Sequence, residues 1–424
     1  MCKTIDPDVM WRRCYTLVIS VCFVFVALPV CLRNQRFSYF YSPDLKAFEA
    51  QNDRRVRAAL SFLRNHSAGR SFTFKAEQRP EMCFAFVVAP RYRDYQTRYL
   101  LQSVVSVLAS IPRDFQRNVQ IGIISSEPGP GNTGIEDRTS IIDGPLISKY
   151  VHHWSKRYRS SGEMNRGTLL EETFDYSRAL QYCYDGRAPV TIIVEDDAIA
   201  SKHLFPRIFD ILKQIRSTDN NAFYIKLFAS EAYFGWENKD IPVMLCAGIF
   251  VALCWCAAQS GQWDPKKRRC YFLKERVSTK TYLEISFLIP VTVLLLKVVG
   301  KQTVYPPFSN GLHKIPHSAV DSNTVATVFP YREKISPFLK SLNRSVHLPK
   351  VPKNMRRRKR ADLSAIDLIL HHWTLETKQS RYYCIPSLFD HIGLYSSKPW
   401  KSLIPGEYLL KGLKNSATFE QASI

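Results

Sequence analysis

The sequence predicts an α/β sheet domain, because strand-length apolar runs alternate with helical patterns and one run ends directly in carboxylates. Met82–Pro90, "MCFAFVVAP", is a continuous apolar run, as is typical of a strand buried on both faces of a parallel sheet. Further strands are predicted over Val119–Ser125, Val190–Val194 and Ala222–Phe228, and helices over Tyr99–Leu108 and Thr173–Asp185.

The composition is strongly basic. The 424 residues include 59 Lys and Arg against 37 Asp and Glu, a formal net charge of +22. Such an excess favours an anionic partner. The chain has no glycine-rich phosphate loop, zinc-finger spacing or RNA-binding signature, and it has membrane-type segments, so we expect no nucleic acid partner.

Three apolar runs predict membrane helices. Tyr15–Leu32 and Ile241–Ala258 carry no charge, and Tyr282–Val299 carries charges only near its ends. A cleaved signal peptide is the alternative for the first run, and buried core helices are the alternative for the other two. The predicted organisation is a cytoplasmic tail over 1–14, a transmembrane helix over 15–32, a stem over 33–80, and a transmembrane hairpin over 241–300.

Charge and glycosylation signals orient these segments. The hairpin loop, 259–281, contains the basic run Lys266–Arg269, and positive loops stay in the cytosol. Everything else after the first helix is then lumenal, including the two halves of the sheet domain, 81–240 and 301–424. The glycosylation sequons at Asn65 and Asn343 both fall on that side.

Three adjacent carboxylates follow the predicted strand Val190–Val194, in the stretch "TIIVEDDAIA". They are Glu195, Asp196 and Asp197. Ligands of open α/β sheets bind beyond the carboxyl ends of strands, and oxygen ligands suit Mg²⁺ or Mn²⁺. A divalent cation would offset the repulsion of the carboxylates and bridge a diphosphate. The alternative is a solvated surface turn.

The eleven cysteines form no CxxC pair, so they do not constitute a disulfide framework. One bridge among Cys83, Cys183 and Cys384 is compatible with their positions, and the sequence leaves the pairing open.

Several motifs together carry a family resemblance. They are "VEDDAIA" at 194–200, "FYIKLF" at 223–228, "LISKY" at 146–150, "HIGLYSS" at 391–397 and the hairpin inserted between them. The chain resembles GT-A glycosyltransferases, and among them the Golgi GPI-side-chain N-acetylgalactosaminyltransferase family (post-GPI attachment to proteins factor 4). It is more distantly similar to the N-acetylglucosaminyltransferase IV family, which lacks the hairpin. The basic run Arg356–Arg360 departs from the family pattern.

The resemblance implies a GT-A-type, Rossmann-like domain in a multi-pass Golgi membrane protein with three transmembrane helices. The implied reaction moves N-acetylgalactosamine from UDP-GalNAc to the first mannose of GPI anchors on proteins, with inversion, using Mn²⁺ or Mg²⁺. Inversion requires one base for the acceptor hydroxyl. An N-glycan N-acetylglucosaminyltransferase is the alternative enzyme. A non-catalytic lumenal GPI- or glycan-binding protein is the alternative of a different class, although a binder need not retain three repelling carboxylates.

The resemblance also suggests roles for individual residues. Asp197, Asp196 and His391 are expected to bind the metal, and Asp367 is the candidate base, with Asp362 as its runner-up. Each also has a structural interpretation, such as a core histidine or a helix-capping carboxylate. The expected contacts to the UDP-sugar come from Glu195, which is also a catalytic candidate, and from Arg93, Arg91, Lys226, Ser396 and Ser397.

Overall fold

The computed structural model describes residues 30, 45–67, 79–88, 98–125, 149–152, 164–229, 241–260, 287–296, 311–317, 324–346 and 365–393. The chain divides into two units. One unit, the sheet unit, combines Asp44–Ser230 with Ser309–Ile424. The other, the hairpin unit, combines Met1–Pro43 with Glu231–Phe308.

Ten strands form two sheets in the sheet unit. The large sheet has eight strands in the order β3-β2-β1-β4-β8-β6-β9-β7, and β5 pairs with β10 in a small antiparallel sheet. The strands are β1 (Met82–Val88), β2 (Val119–Ser125), β3 (Lys149–His152), β4 (Val190–Glu195), β5 (Ala198–Ala200), β6 (Ala222–Lys226), β7 (Gly311–Lys314), β8 (Ala326–Phe329), β9 (Ser380–Ile385) and β10 (Phe389–His391).

The helices described are α1 (Leu45–Ser67), α2 (Tyr99–Ser110), α3 (Met164–Asp185), α4 (Leu204–Thr218), α5 (Ile241–Ser260), α6 (287–296), α7 (Ile335–Val346) and α8 (Ile366–Glu376). Short 3₁₀ helices lie at Arg113–Asn118 and Arg332–Lys334. The four predicted strands and both predicted helices are present. Their ends differ by a few residues, except that α3 begins nine residues before the predicted Thr173.

The large sheet is mixed rather than purely parallel. Strands β2, β1 and β4 run parallel to one another, whereas β8 is antiparallel to both of its neighbours, β4 and β6. Strand β4 alternates between two apolar layers: Val190, Ile192 and Val194 face one layer and Ile193 faces the other. Because both faces are covered, the strands read as continuous apolar runs.

A disulfide joins Cys83 of β1 to Cys183 of α3, with their Cα atoms 5.5 Å apart. This contact resolves the pairing that the sequence left open. Cys384 of β9 is a buried thiol, and its burial raises its pKa to about 12. The Cys384 thiol therefore stays protonated at neutral pH and is unreactive.

The segment assigned to a stem contributes a helix to the sheet unit. Helix α1 is largely polar, but its Ala59 and Leu63 are buried in the core. Its polar side chains also contact α2: Gln102 Nε2 donates to Asn52 Oδ1 at 2.9 Å, and Arg55 Nε donates to Gln102 Oε1 at 2.8 Å. These contacts place the start of the sheet unit well before residue 81.

The hairpin unit contains two apolar helices that touch each other. A buried row at four-residue spacing, Met244, Gly248 and Ala252, runs along α5. A Cβ added to Gly248 would lie only 3.2 Å from the Ile289 carbonyl oxygen of α6, so glycine permits the close approach. The Thr292 hydroxyl in α6 donates to the Leu288 carbonyl at 2.8 Å.

The rest of α5 presents large apolar side chains outward. The exposed residues of α5 include Ile241, Val243, Leu245, Ile249, Phe250, Val251, Leu253 and Trp255. Counting only the residues that the structure describes, no helix reaches the length and apolarity needed to cross a membrane. The predicted span 15–32, apart from Val30, and the basic part of the predicted loop lie outside the described residues.

Candidate functional site

The acidic turn between β4 and β5 is held by backbone hydrogen bonds to three separate segments. The Glu195 amide donates to the Val325 carbonyl at 2.9 Å, and the Asp196 amide donates to the Val87 carbonyl of β1 at 3.1 Å. The Asp197 carbonyl accepts a hydrogen bond from the Ile392 amide at 2.8 Å. The carboxylates are thus mounted on a turn whose position is fixed by the sheet and by the β10 segment.

Two buried serines of α2 form hydrogen bonds to β5, the strand that follows the acidic turn. The Ser103 hydroxyl donates to the Ala198 carbonyl at 2.5 Å, and the Ser106 hydroxyl accepts a hydrogen bond from the Ala200 amide at 2.8 Å. Both serines lie among the mainly apolar buried residues of α2. Their hydroxyls satisfy backbone groups of β5 that would otherwise be buried at a cost of about 1–3 kcal/mol each.

The pairing of β10 with β5 brings a histidine to the turn. His391 lies opposite Ala198 in the antiparallel register. Its Nε2 is 3.0 Å from Asp197 Oδ2, and the side chains of His391 and Asp197 are 23% and 2% exposed. The site therefore has one deeply buried carboxylate and one imidazole that reaches toward solvent.

Glu195 completes a group of three possible metal ligands. One ligand atom from each of Glu195, Asp197 and His391 lies within 4.8 Å of the others. The Thr324 hydroxyl donates to Glu195 Oε1 at 2.7 Å, which orients that carboxylate. Two carboxylates and an imidazole form an oxygen-and-nitrogen donor set that suits Mn²⁺ and related divalent ions. The side chains present therefore fit the cation that the sequence predicted.

Gly393 leaves the space that Asp197 occupies. A Cβ at position 393 would lie 2.0 Å from Asp197 Oδ2 and 3.1 Å from His391 Cε1. No side chain fits there unless the carboxylate moves. The glycine of the "HIG" motif is thus required for close approach, and it fixes the distance between the loop after β10 and the acidic turn.

The surroundings of Glu195 on the inner side are buried and polar. Burial raises the pKa of Tyr176, and the Glu195 charge raises it further, so this α3 phenol stays protonated. Lys226 of β6 is also buried, and its Nζ lies 6.0 Å from the centre of the Tyr224 ring. Lys226 pairs with Thr327, which pairs with Ile193, so strand alternation places Lys226 on the same sheet face as Glu195.

Helix α1 reaches the strand that carries His391. Burial lowers the pKa of the Arg55 guanidinium, and the Asp390 carboxylate of β10 opposes this shift. Asp390 is itself buried. Because neighbouring residues of a strand point to opposite faces, Arg55 and Asp390 lie on one side of β10 and the Asp197–His391 contact lies on the other.

The remaining predicted residues are distributed as follows. Asp196 is fully buried, but among the described residues it is not one of the three whose ligand atoms converge. Asp367 lies half-buried in the first turn of α8, where its Oδ1 accepts a hydrogen bond from the Leu368 amide at 2.9 Å. Outside the described residues lie Arg91, Arg93, Asp362, Ser396, Ser397 and the run Arg356–Arg360.

The two sequons fall on helices of the sheet unit. Asn65 is exposed near the end of α1, and Asn343 lies in α7. Sequence reasoning did not identify Thr324, Ser103 or Ser106, because isolated hydroxyl residues carry no pattern of their own. Gly393 is visible in the sequence only as part of the "HIG" motif, although a glycine next to a candidate ligand can indicate a close approach of the backbone.

The fold and the site, taken with the comparison of the chain to family models, define a glycosyltransferase. The model of the family described as GPI-N-acetylgalactosamine transferase PGAP4 matches residues 82–390, which is most of the chain. This chain belongs to that family, and the resemblance seen in the motifs is confirmed.

The similarity to solved structures is weak. The solved mannosyltransferase PcManGT from Pyrobaculum calidifontis, in complex with GDP-Man and Mn2+, is 12% identical, with a TM-score of 0.23. The similarity covers 42% of this chain and 46% of that one, so this chain spans about half of the neighbour's length. Among curated proteins, none matches this chain with significance.

We predict that Gly393→Ala disrupts the site without unfolding the protein. The new Cβ would displace the buried Asp197 carboxylate, so the affinity for Mn²⁺ should fall about tenfold or more, as measured by calorimetry. Gly186→Ala is the matched control. Its Cβ would lie 2.1 Å from Gln120 Oε1, but that atom ends a partly exposed, flexible side chain that can move. Equal Mn²⁺ affinity of the two variants would contradict the assignment of the cation site to Asp197 and its neighbours.

Proposed function

We propose that this protein transfers N-acetylgalactosamine from UDP-GalNAc to the first mannose of GPI anchors on proteins, with inversion and with dependence on a divalent metal. The observation that carries the proposal is the convergence of Glu195, Asp197 and His391 at the carboxyl end of β4. This is the edge of an α/β sheet where ligands bind. The matched family's description names GPI and N-acetylgalactosamine, and it supports the choice of donor and acceptor.

Asp197, His391 and Glu195 are the residues that would hold the cation. The cation would neutralise the negative charge that develops on the departing nucleoside diphosphate. The protein contributes the fixed positions of the ligands, through Thr324 on Glu195 and through the backbone bonds of the turn. A preorganised site requires little rearrangement when the substrate binds. Asp196, which is buried beside the ligands, is proposed as a support of the turn.

Asp367 is the proposed general base. An inverting transfer needs a carboxylate that removes the proton of the acceptor hydroxyl as the new bond forms. Asp367 is partly exposed in the first turn of α8. The Leu368 amide bonds to one of its oxygens and orients the carboxylate. A charged and oriented carboxylate meets the chemical requirement for this role.

The proposal includes a membrane anchor and a lumenal location in the Golgi. The exposed side chains of α5 form an apolar surface, and large surfaces of this kind mark binding to a membrane or a partner. Glycine at the contact of α5 with α6 is typical of helices that associate in lipid. The Cys83–Cys183 disulfide suits an oxidising compartment, and Asn65 is exposed for glycosylation.

We predict that Asp197→Asn lowers the transfer of N-acetylgalactosamine at least about a hundredfold, because the substitution removes the charge that holds the cation and keeps the shape of the side chain. The measurement is transfer from UDP-GalNAc to GPI-bearing protein, with UDP-GlcNAc as the comparison donor and with Mn²⁺ present or chelated. Asp210→Asn, an exposed carboxylate of α4, is the matched control and should keep full activity.

Three results would contradict the proposal. They are near-normal activity of Asp197→Asn, full activity of the unaltered protein in excess chelator, and a preference for UDP-GlcNAc. The first two would contradict the proposed metal site, and the third would favour an N-glycan N-acetylglucosaminyltransferase over the GPI enzyme.

We predict that lipid protects the α5 cysteines from a hydrophilic maleimide. Cys246 and Cys254 are exposed thiols of α5, so a helix in water would react quickly at both. In lipid nanodiscs they should stay unlabelled until detergent dissolves the bilayer. For the assay, the other cysteines outside the disulfide are replaced by serine. Lys213→Cys on the exposed side of α4 is the positive control. Rapid labelling of Cys254 in the nanodisc would rule out membrane embedding of α5.

A further inference from the structure

A cleft lies in the sheet unit, away from the acidic turn. It has a volume of about 260 Å³. Its walls contain three arginines, Arg79, Arg216 and Arg332, and a single carboxylate, Glu333. Pro189, Pro330 and Tyr331 form the rest of the lining. Three guanidinium groups against one carboxylate give the cleft a net positive charge. Pro189 and Pro330 restrict the backbone conformation of its walls.

Two of the arginines are already oriented. Arg332 donates from Nε and from a terminal nitrogen to the Tyr184 carbonyl, at 3.3 and 3.0 Å. Its guanidinium also lies 4.2 Å from the centre of the Tyr184 ring. Arg79 donates from Nε to the Arg187 carbonyl at 2.8 Å. Each arginine keeps further N–H groups for a ligand, and an oriented guanidinium loses less entropy when it binds an anion.

The third arginine differs from these two. Arg216 is exposed in the last turn of α4. Among the residues that the structure describes, none forms an ion pair within 4 Å with any of the three guanidinium groups. Three cations that line one cleft would repel each other, and an anion between them would relieve this repulsion.

The cleft is distinct from the candidate active site. Pro189 immediately precedes β4, whereas the acidic turn follows its last residue, Glu195. A strand of this length separates its ends by roughly 20 Å. The cleft is also smaller than pockets that enclose drug-sized ligands, which begin at roughly 300 Å³. It cannot enclose a nucleotide sugar, but it admits a compact anionic group.

We propose that this arginine cleft binds a phosphate group, either free or carried by a larger molecule such as a lipid. Guanidinium groups match phosphate oxygens with paired, charge-assisted hydrogen bonds, which are about twice as strong as neutral ones. The proposal rests on the cleft and its arginines, and it does not depend on the transferase reaction or on the metal site.

The test is calorimetric titration of the purified full chain in detergent with inorganic phosphate. Excess chelator is present, so that a cation at Asp197 cannot recruit phosphate to the other site. Arg216→Gln is the variant of choice. Among the described residues, no side-chain hydrogen bond or ion pair joins Arg216 to another element, so its loss should leave the fold intact. Arg113→Gln, an exposed arginine of the 3₁₀ helix Arg113–Asn118, is the matched control. A thermal melt of each variant verifies folding.

We expect saturable binding that weakens about tenfold or more in Arg216→Gln and is unchanged in Arg113→Gln. Two soluble esters then distinguish the source of the phosphate. Tighter binding of short-chain phosphatidic acid than of glycerol 3-phosphate assigns the cleft to a lipid headgroup, and equal binding assigns it to a soluble phosphate ester. Binding that fails to saturate, or that is equal in Arg216→Gln and the unaltered protein, would overturn the proposal.

Discussion

The contact between Asp197 and His391 is the constraint on which the site depends. It is made by the short pairing of β5 with β10, which joins the acidic turn in the first half of the sheet unit to a strand near its end. The Ile392 amide bonds to the Asp197 backbone, and Gly393 leaves room for the carboxylate. A buried carboxylate costs on the order of several kcal/mol unless it is paired, so this junction has to form correctly for the site to be stable.

The insertion of the hairpin has a consequence for the sheet. The chain leaves the sheet after β6, passes through α5 and α6, and returns at β7. The strand β8, which follows the hairpin, then inserts between β4 and β6. The sheet is therefore continuous only when segments from both sides of the hairpin have met. Arg381 of β9 is fully buried and donates to the Pro316 carbonyl at 2.8 Å, which fixes the returning chain just after β7.

Much of this arrangement can be predicted from the sequence, and there are physical reasons why the remaining features cannot. The early strands and the acidic turn are evident because continuous apolar runs end in charge. Strand β9 is less evident because it contains the buried Arg381, whose charge interrupts the apolar pattern. Helix α1 reads as a polar stem because only a narrow stripe with Ala59 and Leu63 is buried. The roles of Thr324 and Gly393 arise from contacts across distant segments, which spacing alone does not reveal.

Asp197, Glu195 and His391 are proposed to hold a divalent cation. The most direct test is pulsed electron paramagnetic resonance of Mn²⁺ bound to the purified full chain. A histidine ligand places a nitrogen nucleus next to the metal, so the spectrum should show a ¹⁴N coupling that disappears in His391→Ala. Bound Mn²⁺ without a nitrogen coupling, or a coupling that survives in His391→Ala, would show that the cation binds elsewhere and would contradict the account.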